Sequence, residues 1–182
     1  MGKIIKNNAE LSGLTKELKR GNAKIIMVNG CFDLFHAGHL SLLKFAKEQG
    51  GILIAAVNSD CSIKSLKGPS RPIIAQNDRL DILASIIYVD YAVIFNEEDP
   101  SELINIIRPD FIIKEEEYKN KAIGEISAIK KCAAELIFYK KENKCATCKM
   151  TIFVVAMFLE NFLRLFDSLS QYAYPKTFSK NS

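Results

Sequence analysis

The chain has 182 residues, 48% of them hydrophobic and 25% charged, with a formal net charge of +4. That balance excludes a disordered chain, and so mild a charge lacks the dense basic face of a nucleic-acid binder while suiting small anionic substrates. The length predicts one main domain with a full hydrophobic core.

Taken in chain order, Met1 to Glu10 is polar and basic with no long apolar stretch, unlike a secretory leader. Leu11, Leu14 and Leu18 recur at helical spacing and Gly21 follows, which predicts a short amphipathic helix with a glycine at its end. Lys24 to Asn29 is a β-branched, apolar run and reads as a buried strand. After the Gly30–Gly38 loop, Leu40, Leu43 and Ala46 mark a helix that stops near Gly50 and Gly51, and Ile52 to Val57 is a second apolar strand. Strand, helix, strand at this spacing predicts a parallel βαβ unit. Asn58 to Pro72 reads as a long polar loop. Leu80, Leu83, Ala84 and Ile87 form the next helical stripe, and Tyr91 to Phe95 a third strand. Asp99 and Pro100 are expected at the N-cap and first position of a helix carrying Leu103, Ile106 and Ile107. Phe111 to Lys114 and Leu136 to Tyr139 complete the strands, with a helix over Ile126 to Ala134 between them. This alternation predicts an α/β fold: a Rossmann-like, doubly wound, parallel five-stranded sheet with helices on both faces.

The end of the chain reads differently. Ile152 to Leu159 is apolar but shorter than the roughly 20 residues that cross a bilayer. We expect a nucleotide-site domain over 1–150, then a C-terminal apolar helix and loose tail over 151–182. The helix would pack on the domain or on a second subunit, which predicts a homo-oligomer without stable membrane insertion. The five cysteines, Cys31, Cys61, Cys132, Cys145 and Cys148, are odd in number, which predicts reduced thiols in the cytoplasm. Cys145 and Cys148 have CxxC spacing but no second pair, and a structural zinc needs four ligands, so no metal site is expected.

The only two histidines, His36 and His39, flank Ala37-Gly38 where the first strand leads into a helix. In a doubly wound sheet, ligands bind at such strand-to-helix junctions. Gly38 admits close approach, and the amides at the helix start favour a phosphate. Imidazoles one turn apart can donate hydrogen bonds to phosphate oxygens as negative charge grows in a transition state.

Asn29-Gly30-x-Phe32-Asp33 followed by His36-Ala37-Gly38-His39 resembles the signature of the HxGH nucleotidylyltransferase superfamily, whose members transfer a nucleoside monophosphate to a phosphate ester and release pyrophosphate. Val57-Asn58-Ser59-Asp60, Lys64 and Leu66-Lys67-Gly68-Pro69-Ser70-Arg71-Pro72 are similar to a block of its D-glycero-β-D-manno-heptose 1-phosphate adenylyltransferase branch. Arg79, Val89-Asp90 and Arg108-Pro109-Asp110 also fall where that branch has an arginine, a Val-Asp and a Pro-Asp pair. The resemblance spans residues 9–150 and implies a stand-alone adenylyltransferase domain taking ATP, Mg²⁺ and a sugar 1-phosphate, for ADP-heptose and surface-glycan synthesis.

By that resemblance, His36, His39 and Lys67 are the catalytic residues. Asn29, Gly30, Phe32, Asp33, Gly38, Arg79, Lys114 and Thr147 are implied to hold the nucleotide, and Lys64 and Arg71 the substrate phosphate. Several of these have a plainer reading too. Phe32 suits core packing, Asp33 either caps the loop or helps hold Mg²⁺, Lys64 suits a solvated face, and Arg79 an exposed helix position. Two turns depart from the family pattern. Lys114-Glu115-Glu116-Glu117-Tyr118 stands where the family has Lys-Gly-Gly-Asp-Tyr, and its carboxylates would repel phosphates. Cys145-Ala146-Thr147-Cys148 stands where the family has a Ser/Thr-rich turn. The alternatives are a cytidylyltransferase for an alcohol phosphate such as glycerol 3-phosphate, a nucleotide-binding protein with weakened catalysis, and a partner-binding protein using the C-terminal helix.

Overall fold

The computed structural model describes residues 1–120 and 123–140. Its elements are β1 (Lys3–Ile5), α1 (Asn8–Arg20), β2 (Ile25–Gly30), α2 (Ala37–Glu48), β3 (Ile52–Asn58), α3 (Asp60–Lys67), α4 (Gln76–Ser85), β4 (Tyr91–Phe95), α5 (Ser101–Ile107), β5 (Phe111–Glu115), a 3₁₀ turn (Glu116–Tyr118), α6 (Ile126–Cys132) and β6 (Glu135–Tyr139).

Buried apolar runs with nothing but backbone to pair become the strands of one sheet, in the order β1-β4-β3-β2-β5-β6, with every pair parallel. Parallel strands need crossovers, and the helices cover both faces. Residues alternate along β2. Ile26 and Val28 face α2 and α4, in a core with Leu42, Leu43, Leu80 and Leu83. Ile25 and Met27 face α1, α5 and α6, in a second core with Leu11, Leu103, Ile104, Ile107 and Ile129. Burial of that kind contributes about 1.5–3 kcal/mol per large apolar side chain. The order reverses at β2, with β3 on one side and β5 on the other. That is the switch point where an open α/β sheet leaves a crevice beyond its strand ends.

The α/β class and doubly wound topology agree with the sequence, with corrections. The sheet has six strands, because Lys3–Ile5 pairs with Tyr91–Val93 of β4. Three residues give no periodic signal, and the strand forms through tertiary pairing. Gly2 makes this possible: a Cβ there would stand 2.5 Å from the Val89 carbonyl oxygen. The expected loop over Asn58–Pro72 contains α3. Its N-cap Ser59 accepts from the Ser62 amide at 3.2 Å, and Gly68 ends it at φ +91°. Only Ser62 and Ile63 of α3 are buried, so the helix shows no apolar stripe. α4 ends at Ser85, which leaves Ile87 83% exposed rather than on its stripe. Pro100 is the N-cap of α5, while Asp99 accepts from the Ser101 amide at 2.8 Å. Among the described residues no helix is long and apolar enough to cross a membrane. The expected C-terminal helix, Thr147 and the Cys145–Cys148 turn lie outside the described residues.

Candidate active site

The loop after β2 carries the histidines to the switch point. His36 is extended at φ −142° and caps α2: its Nδ1 accepts from the amides of Gly38 at 3.1 Å and His39 at 3.3 Å. An accepting Nδ1 places the proton of neutral His36 on Nε2. The sequence expectation that these helix amides point at a phosphate is therefore modified, because His36 itself occupies two of them. The helix dipole still favours an anion at this end. The two imidazoles stack, with centroids 3.8 Å apart and planes at 16°. Phe32 meets His39 edge-on at 5.3 Å and Phe35 lies tilted at 5.5 Å. Stacking and bracing fix both rings on one side of the α2 start.

The loop itself is strained. Phe32 has φ +47° and Leu34 φ +48°, a left-handed region that costs a side-chain-bearing residue about 1–2 kcal/mol. Phe32 is 3% exposed and packs into the core beside Leu42 and Leu43, so the core reading holds for this residue. Gly30 lies under its ring: a Cβ there would sit 3.6 Å from Phe32 Cε2.

Asp33 caps the loop. Its carboxylate accepts from Arg71 Nη1 at 2.8 Å, from the Ile74 amide at 3.0 Å and from the Ile73 amide at 3.1 Å. Burial alone would raise this carboxyl, but the bonds from Ile74, Arg71 and Ile73 outweigh it and hold the pKa below its ordinary value. So engaged, Asp33 is not available as a metal ligand. Among the described residues no group of three or more His, Cys, Asp or Glu could hold a metal ion.

Arg79 and Lys114, both expected at the nucleotide, are turned into the protein. Arg79 is not an exposed helix residue either. Its side chain is 0% exposed; Nε donates to the Ile74 carbonyl at 2.9 Å, Nη2 to Asp60 Oδ1 at 2.7 Å, and Nη1 to the Cys31 carbonyl. Lys114 is buried against Glu125 in an ion pair, donates to Asn29 Oδ1 at 3.2 Å and lies 5.5 Å from the Tyr118 ring centroid. A buried cation needs such a counter-charge. In the altered turn, Glu116 and Glu117 are exposed and Glu115 ends β5. Burial, then the carboxylate of Glu117, raise the Tyr118 hydroxyl above its ordinary pKa.

Lys64 and Lys67 stand three apart on α3 and are both exposed, one turn of the same helix face. Arg71 is partly exposed but tied to Asp33. The structure thus joins His36, His39, Phe32, Asp33 and Arg71 in one connected loop system, joins Asn29 to Lys114, and leaves Lys64 and Lys67 open to solvent. Sequence reasoning assigned no role to Asp60, which was only part of a quoted block, or to Glu125. Their signal is spatial, since each finds its partner 19 and 11 positions away.

Comparison with known proteins bears on the family. The cytidylyltransferase-like family profile matches residues 27–161. The bifunctional protein HldE of a Nitratiruptor species is 48% identical over 120 residues, covering 66% of this chain and 26% of that protein. The bifunctional protein HldE of Campylobacter jejuni (strain RM1221) is 46% identical over 121 residues, again 66% of this chain and 26% of its own length. The chain thus spans about a quarter of these curated relatives. The solved lipopolysaccharide core biosynthesis protein from Thermoplasma volcanium GSS1 aligns with a TM-score of 0.54 at 28% identity, over 66% of this chain and 98% of that one. Pantoate-beta-alanine ligase from Francisella tularensis aligns at 0.59 but 16% identity, over 80% of this chain and 69% of its own, a likeness of fold alone. With the profile covering most of the chain and the histidine pair seated at the switch point, the chain belongs to the cytidylyltransferase-like family and is a nucleotidyltransferase.

Proposed function

We propose that the protein transfers AMP from ATP to a sugar 1-phosphate, D-glycero-β-D-manno-heptose 1-phosphate, and releases pyrophosphate, in the cytoplasm and as a step toward ADP-heptose and surface glycans. The observation that carries the reading is the stacked His36–His39 pair, capped onto α2 and braced by Phe32 and Phe35 beyond the end of β2. The HldE relatives and the Lys67–Pro72 block support the choice of sugar phosphate.

A phosphate oxygen of the sugar 1-phosphate attacks the α-phosphorus of ATP in line. The new P–O bond forms as the bond from the α-phosphorus to the β-bridging oxygen breaks, and the electron pair leaves with pyrophosphate. Transfers of this kind depend on positioning and charge stabilisation rather than a protein nucleophile. His36 and His39 donate to the triphosphate where charge develops, with Asn29, Gly30 and Gly38 lining the same loop. Lys67 and Lys64 approach from α3 and neutralise the incoming phosphate, and Arg71 holds the loop between them through Asp33. Mg²⁺ bound with the triphosphate would offset phosphate charge there, and no residue of this chain is assigned as its ligand. Asp33 does not fit that role, and no step is assigned through the ion. Thr147 remains a proposed phosphate contact by family resemblance alone.

A matrix of pyrophosphate-release assays tests the proposal, with ATP or CTP against heptose 1-phosphate or glycerol 3-phosphate. We expect release with ATP and heptose 1-phosphate. Release confined to CTP and glycerol 3-phosphate would overturn it in favour of a cytidylyltransferase, and ATP binding without release would make the chain a nucleotide-binding protein.

A further inference from the structure

We propose that Arg79 is a positioning residue: its buried guanidinium holds the strained histidine loop at a fixed distance from α3, and so sets the two halves of the site against each other. The inference rests on the nucleotidyltransferase reading.

Among the described residues Arg79 is the largest fully buried side chain, and each guanidinium nitrogen has an acceptor on a different segment. Nε reaches the Ile74 carbonyl before α4, Nη2 the Asp60 carboxylate in the first turn of α3, and Nη1 the Cys31 carbonyl directly after β2. Cys31 leads the histidine loop, whereas Asp60 anchors the helix that carries Lys64 and Lys67. One planar group therefore ties the histidine side of the site to the lysine side.

The loop shows why such a tie is needed. Pinned and strained residues alternate along it. The Cys31 carbonyl is held by Arg79, Phe32 is left-handed, the Asp33 carboxylate is held by Arg71, Ile73 and Ile74, and Leu34 is left-handed. Strained backbone persists only where its surroundings over-determine it. Release of the pin at Cys31 lets Phe32 relax, and Phe32 is the edge-on support of the His39 ring. A rigid fork can serve three acceptors in different directions, but an ammonium at the end of a flexible stem cannot. Arg79→Lys keeps the charge and removes the geometry.

The chain's two histidines both lie at the site, so imidazole NMR reads the loop without interference from elsewhere. For Arg79→Lys in the full chain we expect a cooperative melt, displaced imidazole signals for His36 and His39, and a kcat lowered at least about tenfold while the KM for ATP changes far less. Asp60→Asn, at a carboxylate 30% exposed, is expected to shift the same signals in the same direction. The double variant should fall no further than the worse single one, because the two residues act as a unit. A folded Arg79→Lys with wild-type imidazole signals and wild-type kcat would overturn the proposal, as would additive losses. If Arg79→Lys does not fold, unchanged signals in Asp60→Asn decide against it. Absence of wild-type turnover would count against the proposed reaction, while the NMR readout would still decide the role of Arg79.

Discussion

Asp33 shows how one side chain shapes the histidine loop. It binds a guanidinium and two backbone amides across some forty residues of sequence, and the folded state favours its ionised form. Its pKa is depressed from the ordinary 3.8, so the stability it contributes is fully present above that value and is lost as pH falls through the lowered folded pKa. Asp33→Asn is expected to cost about 1–2 kcal/mol near neutral pH, as a charge-assisted bond becomes a neutral one. Denaturant midpoints measured against pH check this. The gap between wild type and variant should hold steady above pH 3.8 and close below it; a gap independent of pH would contradict the assignment. The sequence alone left this residue between loop cap and metal ligand, because the deciding partners, Ile73 and Ile74, are backbone groups and carry no residue signature. For Arg79 and Lys114 the sequence suggested a nucleotide role but not the protein partners that hold them. A basic residue in a family block reads as a phosphate ligand, and only the fold supplies Asp60, the Cys31 carbonyl and Glu125 as the acceptors that bury it.

At the scale of elements, local pattern was a good guide where burial is periodic. β2, β3 and β4 are largely apolar runs, and α2 buries Leu43 and Ala46 of its expected stripe together with Leu42, while the expected Leu40 is 40% exposed. It failed where an element owes its existence to one cap or one pairing. α3 is polar on most of its surface and starts through Ser59, and β1 is three residues held by β4. Ends of helices also carry removable strain. Ala133 ends α6 at φ 56° and is exposed, a left-handed position that glycine occupies without a Cβ penalty. Ala133→Gly is therefore expected to raise stability by about 0.5–1 kcal/mol without change in turnover. Thermal melts check the first part, and a lowered midpoint would contradict the strain assignment. The same logic does not extend to Phe32, whose left-handed conformation is matched to a buried ring under the histidines.

For the molecule as a whole, strand order determines where chemistry can occur. β2 is central, its neighbours β3 and β5 are reached in opposite directions, and the two histidines stand on the loop that leaves it. That much follows from an alternation of apolar runs and the position of His36-Ala37-Gly38-His39, which is why the placement of the histidine pair was legible in the sequence. The substrate-facing detail was less so, since Lys64 and Lys67 lie on a helix rather than an open loop, and the Glu116–Tyr118 turn places the Tyr118 ring 5.5 Å from the Lys114 ammonium. The central claim is that the stacked histidines drive transfer of the α-phosphorus to a sugar phosphate. The most direct measurement incubates the full chain with ATP labelled at the α-phosphorus and heptose 1-phosphate, and follows the label. The account predicts that the label appears in a sugar nucleotide, and that His36→Ala and His39→Ala each lower its rate by roughly 10² or more while the protein stays folded. Label that never leaves ATP, or transfer that both variants carry out at the wild-type rate, would contradict it.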